Sequence, residues 1–292
     1  MTSGPAQQAS SAPAQKLLAE LPESAASGEI RHIYDEIRRL SAVPMVALIW
    51  RHLATHPGTL EWAWGLLEPA MRAGAVQEIA WKLAEKARVP RQPVIPVAAL
   101  RAAGISEADQ AGLVETLDGY NRANPVNIVM LRCLSLHLAG QAAAATPQAW
   151  PHWQPPQAPA PLRPMINPGE MSPTVHTLAL LLTDRGSSAA PSTLWPSLYR
   201  HLAYWPAFLG YASVLVPPKF GAIDTAAARL RQEVDQAAVA LVPRLPPTTT
   251  RPAPSGAHAA ALQSAITQFS GRIPEMVVIG NLLRGALPSA AR

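Results

Sequence analysis

Cysteine is nearly absent: Cys133 is the only one in 292 residues. A single thiol excludes an internal disulfide, a paired-cysteine redox motif and a cysteine-built zinc site, and it fits a reducing compartment. Long apolar runs are missing as well. The longest clear one, residues 43–50, falls far short of the roughly 20 residues of a membrane helix, so the expected setting is cytoplasmic, with no membrane partner. Residues 1–14, MTSGPAQQASSAPA, lack the basic and apolar regions of a signal peptide and read as a disordered tail. Charge is sparse, at 15% of residues with a net +5, and the cations are scattered singly. A nucleic-acid footprint needs clustered cations, so no nucleic-acid partner is expected, whereas an anionic small molecule remains compatible. The chain has no glycine-rich phosphate loop, no GxSxG elbow and no HExxH pair, and no metal or cofactor is expected.

What the sequence does have is alanine, leucine and a repeat. Hydrophobic residues make up 49% of the chain, and β-branched runs are short, which favours an all-α fold. Residues 51–69, RHLATHPGTLEWAWGLLEP, align without gaps on residues 200–218, RHLAYWPAFLGYASVLVPP, with nine of nineteen positions identical. The same shift of 149 pairs Leu113 with Leu262, Tyr120 with Phe269 and Pro125 with Pro274. Duplication explains this better than chance. The expected organisation is an N-terminal tail (1–27), disordered or partly helical; a first helical repeat (28–139); a Pro/Ala-rich linker (140–173); and a second repeat (174–292). Two such units bury their apolar faces most simply against each other as an intramolecular pseudo-dimer, with a ligand pocket at the seam. Association into a homodimer is left open.

Helical spacing sets the finer expectations. Ile30, Ile33, Ile37 and Leu40 follow Ser27 as N-cap, and Pro44 closes that helix. A second helix is expected at 45–55, a third from Pro57 to an end at Pro69, and a fourth at 76–88. Ser106 and Asp109 form a capping box, and Asn124-Pro125 is read as opening a separate last helix. The second half is expected to repeat the plan with helices at 174–184, 195–202, 206–216, 224–241, 257–269 and 274–287.

Single chemical candidates mostly have bland readings. His52 and His201 are repeat-equivalent and fit packing or a hydrogen bond better than a site. Arg51 and Arg200 fit helix bracing, Cys133 fits the core, and Asp184 fits a helix end before Gly186.

The segments GEIRHIYDEIRR, the following VP, RHLATHPGTLEWAW, YNRANP and PSLYRHLAYWPAFL resemble, in order, the group I 2-haloacid dehalogenases, the DehI family. The likeness covers roughly residues 28–285. It implies an all-α pseudo-dimer with its site at the junction of the halves. It also implies hydrolytic removal of halide from short 2-haloalkanoic acids, with inversion, by direct attack of an activated water. Carried over position by position, the amide that helps hold this water is Asn124. The family's base is an Asp directly after a Ser; the Ser falls on Ser197 and the Asp on Leu198, so the chain resembles a divergent member lacking the catalytic Asp. Pocket aromatics fall on Met45 and Leu48, and a tyrosine falls on Phe269. Leucine cannot accept a proton, so the expected activity is weak or lost unless His201 or Asp184 substitutes. The alternative is a non-catalytic or re-purposed relative that binds a small organic acid or apolar molecule between the repeats; an interaction scaffold is a third reading.

Overall fold

The computed structural model describes residues 18–141, 150–185, 195–247 and 249–288. Among the described residues there are eleven α-helices and no strand: α1 (Gly28–Ser41), α2 (Leu48–Leu53), α3 (Thr59–Arg72), α4 (Ala75–Lys86), α5 (Val97–Ala102), α6 (Glu107–Leu138), α7 (Pro173–Asp184), α8 (Ser197–Leu202), α9 (Pro206–Leu215), α10 (Phe220–Leu241) and α11 (Gly256–Ala286).

Two long helices organise the rest. At 1.5 Å per residue, α6 and α11 are each about 48 Å long, and they pack against each other more extensively than any other pair. They begin 149 positions apart, at Glu107 and Gly256, as do the six-residue α2 and α8, at Leu48 and Ser197. The short helices cross over: α2 packs on α11 and α8 on α6. This crossing brings the ends of α2 and α8 to one place between the long helices.

Local chemistry accounts for many of the ends. The α1 stripe of Ile33, Ile37 and Leu40 is buried. The helix stops in a Schellman turn, with Ala42 left-handed at φ 52 and the Val43 amide donating to the Arg38 carbonyl at 3.1 Å, just before Pro44. Ser27 is its N-cap by position, without a side-chain hydrogen bond. Ser106 and Asp109 form the reciprocal capping box at the start of α6.

Proline misled the sequence reading three times. Pro69, Pro125 and Pro274 all lie inside helices, so the helices expected to end or begin at them run through. An interior proline costs about 3 kcal/mol. Beyond Pro125, Val126 to Leu131 are buried without interruption, and beyond Pro274, Glu275 to Gly280 are too. Each buried Leu, Ile or Val contributes roughly 1.5–3 kcal/mol, so tertiary burial outweighs the local penalty. The expected helix at 45–55 shrinks to α2, and α10 starts at Phe220, ahead of the expected position 224.

The segment 150–167 is not helical, and it lies against the fold. Trp153 sits directly over Gly74 and stacks near Trp81, with ring centroids 6.3 Å apart. Residues 142–149 of the expected linker, 1–17 of the expected tail, and 289–292 lie outside the described residues. At the other end of the chain, residues 19–26 are laced to α2: the Leu21 amide donates to the Arg51 carbonyl at 2.9 Å, and Arg51 pairs with Glu20 at 2.9 Å. No helix among the described residues is long and apolar enough to cross a membrane.

Candidate functional site

A cavity of about 70 Å³ lies where α2, α6, α8 and α11 meet. By the roughly 10–15 Å³ of such volume that one water requires, it holds about five waters, the size of an organic acid of five or six heavy atoms. Met45, Leu48, Asn124, Ser197, Leu198 and Phe269, the six positions singled out from the sequence, all line it. Larger surface grooves of about 310 to 380 Å³ gather none of them.

The two long helices supply opposite walls. From α6, the residues Tyr120, Asn124 and Asn127, spaced i, i+4, i+7 on one face, give a polar wall. From α11, Phe269, Ile273 and Met276 stand at the same three offsets and give an apolar one. The ends of α2 and α8 close the space with Met45, Leu48 and Ile49 on one side and Trp195, Ser197 and Leu198 on the other. Leu198 is only 1% exposed.

The polar groups of the α6 wall are held by partners behind them. The Trp50 indole donates to Asn127 Oδ1 at 2.8 Å; indole is a donor only, which fixes the orientation of the amide and leaves its NH₂ unengaged by Trp50. Tyr120 Oη lies 2.7 Å from His201 Nδ1, and His201 Nε2 lies 2.8 Å from the Arg163 carbonyl. A carbonyl only accepts, so Nε2 carries the proton, Nδ1 is bare, and Tyr120 donates to it. Burial pushes the His201 pKa down to about 4, with Arg200 and Arg51 adding to the effect against the pull of the Arg163 carbonyl, so the ring is neutral near pH 7. Burial also drives the Tyr120 phenol far above its ordinary value.

Among the described residues, Arg272 is the one cation in the lining. Its guanidinium donates to Glu275 at 3.0 Å and to the Thr183 carbonyl, while its Nε is buried without a hydrogen-bond partner. Glu275 is shared with Arg185 at 2.7 Å, and Arg185 reaches on to Asp224.

No Asp, Glu, His or Cys lines the cavity among the described residues, and none of the described His, Cys, Asp and Glu residues form a group of three able to hold a metal. The two substitutes considered for a base are both outside the lining. His201 spends both ring nitrogens on Tyr120 and Arg163, and Asp184 ends α7 and is not among the lining residues. Arg51 and Arg200, read as bracing residues, do brace: Arg200 donates to the Ile166 carbonyl at 3.0 Å and to Asn167 at 2.8 Å. Cys133 is a fully buried core residue.

Sequence reasoning missed Asn127, Arg272, Trp195 and the part played by Tyr120. The i, i+4, i+7 spacing from Tyr120 would have found the α6 wall, had Pro125 not been read as a helix start.

No protein-family model matches the chain. Over 120 residues it is 32% identical to a configuration-inverting 2-haloacid dehalogenase of Pseudomonas sp. (strain 113), a match covering 41% of this chain and 39% of that protein. Over 201 residues it is 26% identical to a configuration-inverting 2-haloacid dehalogenase of Alcaligenes xylosoxydans xylosoxydans, covering 65% of each. The matches thus span less than two thirds of these curated relatives. Among solved structures, a D-2-haloacid dehalogenase mutant in complex with D-2-CPA superposes with a TM-score of 0.69 at 20% identity, covering 93% of this chain and 96% of the other. A complex of D-2-haloacid dehalogenase with L-LA gives 0.69 at 19% identity, covering 92% and 96%. At that identity the likeness establishes a shared all-α fold. The relatives found by sequence and by shape are 2-haloacid dehalogenases, the group that the motifs resemble.

Proposed function

We propose that the chain is a haloacid dehalogenase-like protein whose seam cavity binds a short organic acid, and whose hydrolytic activity is weak or lost because the base position is Leu198. The carrying observation is the composition of the cavity wall: Asn124 and Ser197 line it, and no proton acceptor of carboxylate or imidazole type does. In the family mechanism that the resemblance implies, a desolvated carboxylate removes a proton from the attacking water. A positioned general base contributes typically about 10²–10⁴ in rate, and a leucine side chain contributes none of it.

The binding half of the reading rests on geometry and charge. The cavity matches a molecule of about six heavy atoms such as 2-chloropropionate. Its donor-bearing residues are Asn124, Asn127 and Arg272, and its far wall is apolar. A carboxylate placed against the donors would leave the alkyl group against Phe269, Ile273 and Met276. The crossing of α2 onto α11 and of α8 onto α6, together with the shared offset of 149, supports the duplicated, pseudo-dimeric organisation (28–139 and 174–292) as part of the same proposal.

The test combines turnover with binding. Purified protein is incubated with D- and L-2-chloropropionate, halide release is followed, and binding is measured by calorimetry. Saturable binding with no halide release above the Asn124→Ala control is the expected result. Release that Asn124→Ala abolishes would show that another group supplies the base and would overturn the loss of activity. Absence of binding by folded protein would overturn the ligand class.

A further inference from the structure

Residues 87–96 join α4 to α5 without helix, and prolines at positions 90, 93 and 96 keep this strap from becoming one. It is fastened at both ends. Asn281 donates to the Ala84 and Ala87 carbonyls at 2.9 and 3.2 Å, and the Ile95 amide donates to the Ala286 carbonyl at 2.9 Å. Between those ties its polar groups are unspent. Among the described residues, the amides of Arg91, Gln92 and Val94 have no hydrogen-bond acceptor, and the exposed side chains of Lys86, Arg88 and Arg91 have no ion pair. Glu85, the carboxylate beside them in the sequence, lines neither of the grooves that flank the strap. One groove, of about 310 Å³, lies among α4, the start of the strap and α10; the other, of about 380 Å³, lies between the strap and the end of α11. Arg88 and Val89 belong to both. Arg229 of α10 and Arg284 of α11 add cations that already have partners, Glu233 at 2.9 Å and Asp118 at 2.8 Å. Beside the charges the linings are apolar, with Leu83 and Leu230 in one, Leu282 and Leu287 in the other, and Val94 left 52% exposed.

We propose that the strap is a docking surface for an extended, acidic segment of a partner protein, its carboxylates on Lys86, Arg88 and Arg91 and its apolar side chains in the two grooves. Charge complementarity carries the choice of partner: three unpaired cations lie within six residues, and free amides beside them offer hydrogen bonds to a second extended backbone. The cations are strung along the chain, not converged on a point, and residues 88–94 cover about 20 Å at roughly 3.3 Å per residue, so the surface fits a peptide better than a small anion. Neither groove is lined by an aromatic residue, which removes the stacking platform that single-stranded nucleic acid uses. A second copy of this chain, itself at net +5, would meet the strap with charge of the same sign. No residue of these grooves lines the cavity between α6 and α11, so this surface stands or falls independently of what that cavity binds.

The test is fluorescence anisotropy of the full chain with a fluorescein-labelled peptide of alternating Glu and Leu, about eight residues long to match the strap. Peptides with Gln or Lys in place of Glu, and an oligothymidylate, are the comparisons. Saturable binding of the Glu peptide is expected, with the Gln peptide at least about tenfold weaker, the Lys peptide not bound, and affinity falling as salt rises from about 0.02 to about 0.2 M. The double variant Arg88→Glu, Arg91→Glu should lose at least about tenfold for the Glu peptide and gain binding of the Lys peptide, a reversal that misfolding would not produce. Both side chains are exposed and unpaired, so its Tm should match that of the unmodified protein. No saturable binding of the Glu peptide, equal binding of the Glu and Gln peptides, or undiminished binding by the folded double variant would overturn the docking surface. Tighter binding of the oligothymidylate than of the Glu peptide would overturn the protein partner in favour of nucleic acid.

Discussion

Lowering the pH should destabilise the protein through His201 in particular, by an amount the structure sets. The ring is 2% exposed, and its pKa is pushed from 6.5 to about 4, by burial first and by the neighbouring Arg200 and Arg51 cations after it. An unfolded chain takes up this proton as pH falls through 6.5, while the folded chain refuses it until about 4. The unfolded state therefore binds more protons in that window, and stability falls with falling pH. At 1.36 kcal/mol per pH unit of separation, the whole effect is about 3 kcal/mol, of which about 2 kcal/mol has accrued by pH 5. His56 and His137 are also held below their ordinary value by burial, so the total slope is not His201 alone. Gln at position 201 can still accept from Tyr120 and donate to Arg163 but does not titrate. Urea unfolding at pH 7.5 and pH 5 should therefore show a loss about 2 kcal/mol larger in the unmodified protein than in His201→Gln. Identical pH dependence in the two would refute the buried, neutral assignment of His201.

Three further substitutions probe the supports of the site. Asn127→Leu leaves the buried Trp50 indole without its 2.8 Å acceptor and should cost about 1–3 kcal/mol, read by denaturant unfolding followed through tryptophan fluorescence. Gly74→Ala forces a left-handed residue at φ +71 to carry a Cβ into the ring of Trp153, so it should cost more than about 1 kcal/mol and expose Trp153. Faster proteolysis within 150–167 is the accompanying signature. Ser106→Ala removes the capping box of α6 and should lower stability by about 1 kcal/mol, visible as a shift in Tm with ligand affinity unchanged.

Much of the fold was legible because its signals are local. The α1 stripe and the Ser106 capping box each depend on neighbours within a few residues, and each expectation matched an element of the structure. The prolines were misread because their effect is decided elsewhere: whether Pro125 or Pro274 ends a helix depends on how much apolar surface the following turns bury against the partner helix, which no local rule contains. The cavity lining was legible by a different route. Met45, Leu48, Ser197, Leu198 and Phe269 came from aligning motifs, and the structure brings them together with Asn124. Arg272 stayed hidden because nothing in its sequence neighbourhood distinguishes it from a surface arginine; its place depends on α11 continuing unbroken through Pro274. The commitment of His201 to Tyr120 and Arg163 joins residues 81 and 38 positions apart, so its unavailability as a base follows only from three-dimensional placement.

The account turns on one side chain, and restoring a carboxylate there tests it most directly. Halide release from 2-chloropropionate should be measured for the unmodified protein and for Leu198→Asp side by side, with folding and acid binding verified for both. The account predicts release by Leu198→Asp well above that of the unmodified protein, increasing with pH as the buried carboxyl ionises. A folded Leu198→Asp variant that binds the acid and releases no halide would contradict it.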